Sequence, residues 1–193
     1  MPIACLLSQV NTFNNGQAIF MRLIKTLTLV FALISCALHA QESKESTAPK
    51  IEHPDAPQWT LSTQDGKQIS FSDYAGKPVI ITFWGTWCPY CKKLHPGLEK
   101  VRAKYEEQGL VVLGISVNEQ DGAKPQDFLT KNGIHFLTLV EGDDIAEDAF
   151  QVFGTPTTLF ISPQGKILGR TMESNPEDPR FDKIAAYLVG LQD

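Results

Sequence analysis

Cys88 and Cys91 stand in one tight cluster, Trp87-Cys88-Pro89-Tyr90-Cys91, and the other two cysteines, Cys5 and Cys36, lie close to the N-terminus. Thiols spaced Cys-x-x-Cys at the start of a helix can close a disulfide across one turn and open it again. The first sulfur, Cys88, is expected to stay exposed at the helix end. Unpaired N–H groups and the positive end of the macrodipole favour a thiolate there, which draws the thiol pKa below its ordinary range. A low-pKa sulfur, with Cys91 one turn deeper to attack a mixed disulfide, is the minimum equipment for dithiol–disulfide exchange.

Half of a zinc site is the competing chemistry for such a pair. A closed structural site wants four ligands. Past residue 40 the chain offers His53, His95 and His135 beside the two cysteines, and no second Cys-x-x-Cys. The ligand arithmetic therefore favours thiol redox chemistry, with no metal and no bound cofactor. His95 stands seven helical residues beyond Cys88, a rise of about 10 Å, and is expected on the helix surface. Lys92 and Lys93 add positive potential near the thiolate but read mainly as a solvent face.

The elements that must carry these residues follow from periodicity and turn chemistry. Val79-Ile80-Ile81-Thr82-Phe83-Trp84 has no polar face, as expected of a central strand covered on both sides. It runs into the cysteines. Leu94, Leu98, Val101 and Tyr105 then recur at helical spacing, Gly109 ends that helix, and residues 110–117 form a second buried strand. Ahead of them, residues 58–62 and 67–71 alternate around Thr63-Gln64-Asp65-Gly66, a hairpin signal. Downstream, residues 125–132 predict a helix that Pro125 opens, with Gly133 past its end; residues 136–140 predict a short strand. Residues 143–153 predict a helix closed by Gly154. Residues 157–161 and 166–170 are strands around Ser162-Pro163-Gln164-Gly165. Asp178-Pro179 opens a last helix that turns Phe181, Ile184, Ala185 and Leu188 inward. Strand–helix alternation closed by a hairpin and a helix predicts a three-layer α/β fold.

The N-terminal stretch reads as a leader. Residues 1–40 contain no Asp or Glu, although the chain holds 22 of them. Met21-Arg22-Leu23-Ile24-Lys25 is basic, an apolar run follows to Leu38, and His39-Ala40 precedes polar Gln41-Glu42-Ser43. That is the layout of a secretory signal, with Met21 the expected true start. The run is short for a membrane-spanning helix, which needs about 20 residues. Leu33-Ile34-Ser35-Cys36 resembles a lipoprotein lipobox, so lipidation at Cys36 stays open beside conventional cleavage after Ala40. Either route exports the domain, to a periplasmic location with or without a lipid anchor. Residues 41–54 read as a flexible tether and 55–193 as one domain. With 42% hydrophobic residues the chain is globular, and a net charge of −5 argues against a nucleic-acid partner.

Three features then coincide: a buried strand running into Trp87-Cys88-Pro89-Tyr90-Cys91, Pro96 interrupting the following helix, and Thr155-Pro156 at the start of a later strand. Together they resemble the thioredoxin superfamily. Phe83-Trp84-Gly85-Thr86-Trp87-Cys88, the N-terminal hairpin and the central insertion around residues 119–132 look more specifically like its TlpA/ResA-like branch of exported thiol–disulfide oxidoreductases. The resemblance covers about residues 50–193. It implies a thioredoxin-like three-layer sandwich, Cys88 as nucleophile, Cys91 as resolving thiol, and a reversible Cys88–Cys91 disulfide. It also implies a cis Pro156 that sets the Thr155 backbone beside the sulfurs to pair with substrate. From spacing alone, Thr155-Pro156 could equally be an ordinary trans turn.

Trp87 adds a flat apolar docking surface, or a half-buried lid over the core. Thr82 departs from the thioredoxin pattern, which has a titrating Asp there. Glu119 falls where the branch often carries an acid, and could accept a proton from Cys91 if burial disfavours its charged form; a solvated loop carboxylate is the competing reading. The branch implies reduction of protein disulfides, such as those of apocytochrome c or copper-site cysteines, with a membrane-bound electron donor to reset the site. Two alternatives stay open. Pro89-Tyr90 matches the pair common in glutaredoxins, and such sites span about −270 to −120 mV, so an oxidase or isomerase is conceivable, although residues 92–155 leave no room for the helical insertion of DsbA-like oxidases. A copper(I)-binding module would suit soft thiolates, but Met1, Met21 and Met172 form no cluster.

Overall fold

The computed structural model describes residues 52–192; the leader, Cys36 and most of the tether lie outside them. A seven-stranded mixed sheet runs through the described residues in the order β2-β1-β5-β4-β3-β6-β7. The N-terminal hairpin pairs β1 (Thr60–Thr63) with β2 (Gln68–Ser70) antiparallel, the tight turn between them falling where Asp65-Gly66 predicts it; Gly66 takes φ +86°, which favours glycine. At the centre lies β3 (Val79–Trp84), buried along its whole length. It is flanked by parallel β4 (Val111–Ser116) and antiparallel β6 (Thr157–Ile161). Outside β4 lies parallel β5 (Leu137–Val140), and outside β6 lies antiparallel β7 (Ile167–Thr171).

Alternation along β3 divides the core. Val79, Ile81 and Phe83 face one side, with Leu113, Ile115, Leu159, Trp59 and Phe71. Ile80 and Trp84 face the other, where α1 (Pro89–Tyr105) contributes Leu94, Leu98 and Val101, α2 (Pro125–Lys131) contributes Leu129, and α3 (Pro179–Val189) contributes Phe181, Ala185 and Leu188. The first face has a thinner cover: the N-terminal segment, a 3₁₀ turn at Phe71–Tyr74, and one helical turn that carries Ala146 and Phe150. The fold is a thioredoxin-like three-layer sandwich. No helix among the described residues is long and apolar enough to cross a membrane.

Two elements differ from the sequence reading. Pro96 removes one helical hydrogen bond, yet α1 runs unbroken from Pro89 to Tyr105. The predicted helix over residues 143–153 shrinks to one turn, with π geometry at Ile145–Ala149. Gln151 at φ +52° and a Val152 N–H to Ala146 C=O bond of 2.7 Å end it early. Val152 and Phe153 thereby leave the helix axis and join the loop that leads to Pro156.

Register explains why the site assembles. Because β3 and β4 run parallel, with Trp84 opposite Ser116, the segments after both strands emerge at the same end of the sheet. Because β6 runs antiparallel, with Thr157 opposite Phe83, the segment before it arrives at that end too. Residues 85–91, 117–119 and 153–156 are therefore neighbours, far apart in sequence and joined by the sheet.

Candidate active site

Cys88 caps α1. Its extended backbone (φ −85°, ψ 111°) precedes Pro89, whose fixed φ and missing N–H suit a first helical position, and its Sγ accepts the Cys91 N–H at 3.2 Å. Cys88 and Cys91 form a disulfide, with Cα atoms 5.4 Å apart. The helix end thus directs a backbone donor at the first sulfur, which favours its thiolate once the bond opens. The exposure expected of that sulfur is not seen: Cys88 is only 2% exposed and Cys91 is fully buried. The Thr155 carbonyl oxygen lies 3.7 Å from Cys88 Sγ and closes over it. A disulfide sulfur has no proton, so this is a contact and not a hydrogen bond. The Thr155–Pro156 peptide is cis.

Trp87 extends beside the pair, 48% exposed, with Nε1 donating to the Val117 carbonyl at 3.1 Å. Its indole folds back over Gly85, where a Cβ would lie 2.3 Å from Nε1. A groove of about 340 Å³ opens on this side, lined by Trp87, Val117, Ala146, Phe153, Thr155 and Glu147 among others. Phe153, 83% exposed, forms its second aromatic flank. Sequence reasoning missed Phe153 because it placed the residue inside a helix.

Glu119 is brought to the site, but not as expected. Asn118 adopts φ +52°, a conformation asparagine tolerates, and its N–H bonds Asp143 at 2.7 Å. From there Glu119 reaches back to residue 86: Oε1 accepts the Thr86 N–H at 2.8 Å and Oε2 accepts the Thr86 hydroxyl. Both carboxylate oxygens are thus engaged by the loop that carries Cys88. Thr82, under the site, is buried and its hydroxyl lies 3.3 Å from that of Thr158 across the sheet. Lys92 is drawn over the Phe128 ring, 5.2 Å from its centroid.

His95 corrects the sequence reading most sharply. It is 2% exposed, edge-on to Trp84 (4.6 Å between ring centroids) and to Phe136 (5.5 Å). Its Nε2 is buried without a hydrogen-bond partner. Burial pushes its pKa down to about 4. Four residues after Cys91 and three before Leu98, His95 stands at the edge of the apolar stripe, and Trp84 and Phe136 closing over it bury the ring. Among the described residues no group of three or more His, Cys, Asp or Glu side chains is placed to hold a metal ion.

A disulfide at a helix N-cap, under a cis-proline loop, at the end of a buried strand of the mixed sheet, decides the kinship. The AhpC/TSA family model matches residues 53–170, more than half of the chain. The chain belongs to this family, as a ResA-like thiol–disulfide oxidoreductase of the thioredoxin superfamily. It is 34% identical over 153 residues to the thiol–disulfide oxidoreductase ResA of Bacillus subtilis, an alignment covering 79% of this chain and 83% of that protein. With the ResA of Geobacillus thermodenitrificans it shares 30% over 151 residues, 78% of this chain and 85% of the relative. Among solved structures, a thioredoxin-family thiol:disulfide interchange protein from Chlorobium tepidum superposes with a TM-score of 0.63 at 27% identity, covering 72% of this chain and 98% of that one. A secreted Mycobacterium tuberculosis disulfide oxidoreductase homologous to E. coli DsbE superposes at 0.60 with 25% identity, covering 68% and 96%.

Proposed function

We propose that this oxidoreductase acts outside the cytoplasm as a reductant of protein disulfides. The observation that carries the reading is the placement of Cys88 Sγ against the Thr155 carbonyl, at the end of a groove flanked by Trp87 and Phe153. An extended substrate strand can pair with the Thr155 backbone while its disulfide meets Cys88. The leader pattern in residues 21–40, and the secreted M. tuberculosis structure to which the fold is similar, support export to the periplasm.

In the reaction, Cys88 thiolate attacks one sulfur of the substrate disulfide, and the other substrate sulfur leaves as a thiolate. Cys91 then attacks Cys88 Sγ, which releases the second substrate thiol and restores the Cys88–Cys91 disulfide. Two electrons pass to the substrate. A membrane-bound dithiol donor returns them to the site. Apocytochrome c or copper-site cysteines are the substrate classes this reading favours, and Cys36 a candidate anchor.

Trapping tests the scheme. Cys91→Ser, produced in the native compartment, should accumulate substrates disulfide-linked to Cys88, identifiable by mass spectrometry; no adducts would defeat the exchange reading. The direction of electron flow is read from the equilibrium potential against glutathione. A value near about −120 mV, that of a strong oxidant, would overturn the reductive assignment.

A further inference from the structure

Cys91 must lose a proton each time it resolves a mixed disulfide, and it is fully buried. The Glu119 carboxylate turns to Thr86, which donates to both of its oxygens. Thr82 does not titrate. One helical turn past Cys91, on the same buried face of α1, stands His95. Residues four apart on a helix have Cβ atoms about 5–6 Å apart, and helical side chains lean toward the N-terminus, over the residue one turn earlier. The His95 side chain is therefore directed toward the turn of α1 that carries Cys91.

His95 also holds an orphan polar atom. Its ring is packed edge-on against Trp84 and Phe136, a role a phenylalanine would fill without leaving Nε2 unpaired. A buried polar atom without a partner carries a free-energy cost. A group kept at that cost, beside a sulfur whose proton must move, points to use in the reduced state.

We propose that His95 is the proton-positioning residue of Cys91. When the disulfide opens, Nε2 of the neutral imidazole accepts the Cys91 S–H. In the resolving step the Cys91–Cys88 S–S bond forms, the Cys88–substrate S–S bond breaks, and the electron pair leaves with the substrate sulfur. The Cys91 proton passes to Nε2 and from the imidazolium to the departing thiolate or to water. This inference rests on the exchange reading above.

The surroundings suit a weak, neutral relay. The rings facing His95, Trp84 from β3 and Phe136 before β5, carry no charge. On its own helix, Cys91 lies one turn before and Glu99 one turn after, the latter held by Arg102 and by the His135 N–H at 2.9 Å. Phe128 of α2, against Trp84, has Lys92 above it. Burial is the sole cause that lowers the His95 pKa, to about 4; the ring is neutral at rest and releases a captured proton readily.

The test uses the reduced protein and the aromatic disulfide DTNB. Attack by Cys88 releases one thionitrobenzoate, and resolution by Cys91 releases a second. In the wild-type protein the second phase should be nearly flat between about pH 5 and 8, because the base is already neutral there. In His95→Leu it should slow at least about tenfold at pH 7 and rise about tenfold per pH unit, following the thiolate fraction of Cys91. His95→Gln accepts a hydrogen bond but not the proton, should fold as the wild type does, and should show the same slope with a smaller loss. It serves alone if the leucine variant does not fold. A wild-type pH profile of the second phase in either variant removes His95 from the reaction. Loss of the first phase in the wild-type protein would overturn the exchange reading and this proposal together.

Discussion

Glu119 and Thr86 clamp two loops together: the Glu119 carboxylate accepts the Thr86 N–H at 2.8 Å and the Thr86 hydroxyl as well. Thr86 lies two residues before Cys88, so the acid holds the approach to the helix end. Two charge-assisted bonds in a half-buried setting are worth about 1–2 kcal/mol together after discounting for solvent. Glu119→Ala should lower the unfolding free energy by about that amount in urea and broaden the reactivity of Cys88 toward alkylating reagents. Glu119→Gln keeps one acceptor for the Thr86 N–H and should recover most of the stability. Equal losses in both variants would show that the charge, and not the bond to the loop, is what matters.

Gly85 exists to seat Trp87. A Cβ there would lie 2.3 Å from the indole Nε1, so Gly85→Ala must swing the ring out and break its 3.1 Å bond to the Val117 carbonyl. The expected cost is about 1–3 kcal/mol, with a red-shifted fluorescence signal attributable to Trp87. In a Trp87→Ala background the same glycine substitution should cost much less, so a double-mutant cycle checks the coupling. Additive effects would contradict it.

His95 makes the fold sensitive to acid. The unfolded chain protonates this imidazole near 6.5, while the folded chain holds it neutral down to about 4. Above pH 6.5 the contribution to stability is fully present. As pH falls toward 4 the unfolded state takes up a proton that the folded state does not, and up to about 3 kcal/mol is lost. Urea unfolding of the oxidised protein between pH 7 and 4 should show that decline, and His95→Gln should flatten it. An unchanged slope in the variant would place the acid sensitivity elsewhere.

Phe153 should matter only to polypeptide substrates. It flanks the groove and is 83% exposed, and it makes no contribution to the buried core on either face of the sheet. Phe153→Ser should leave the melting temperature nearly unchanged and slow reduction of a peptide disulfide by about tenfold, near 1.4 kcal/mol. Reaction with DTNB, too small to span the groove, should be little affected. Equal slowing with both disulfides would argue that the residue shapes the sulfur site itself.

The sequence by itself determined what local pattern can determine. The unbroken apolar run Val79–Trp84 is the central strand, Gly109 at φ +87° ends the first helical segment, and Asp178-Pro179 caps the last helix, with Asp178 accepting the Arg180 N–H. The Cys-x-x-Cys at a helix start needed no partner from elsewhere to declare its chemistry. Each of these signals lies within one or two turns of chain, where periodicity, capping and turn preference act.

Only the tertiary structure decided the rest. Glu119 meets Thr86 across 33 residues, and the Thr155 carbonyl meets Cys88 across 67, because the register of β3 with β4 and β6 delivers three loops to one end of the sheet. Whether Phe153 ended a helix or flanked a groove turned on the left-handed Gln151 and the bond from Val152 back to Ala146. His95 lay on the boundary of the apolar stripe of α1, and its burial depended on Trp84 and Phe136 closing over it. A boundary position on a helix is assigned to core or solvent by what the neighbouring strand and loop bring to it, and that is information the helix sequence does not contain.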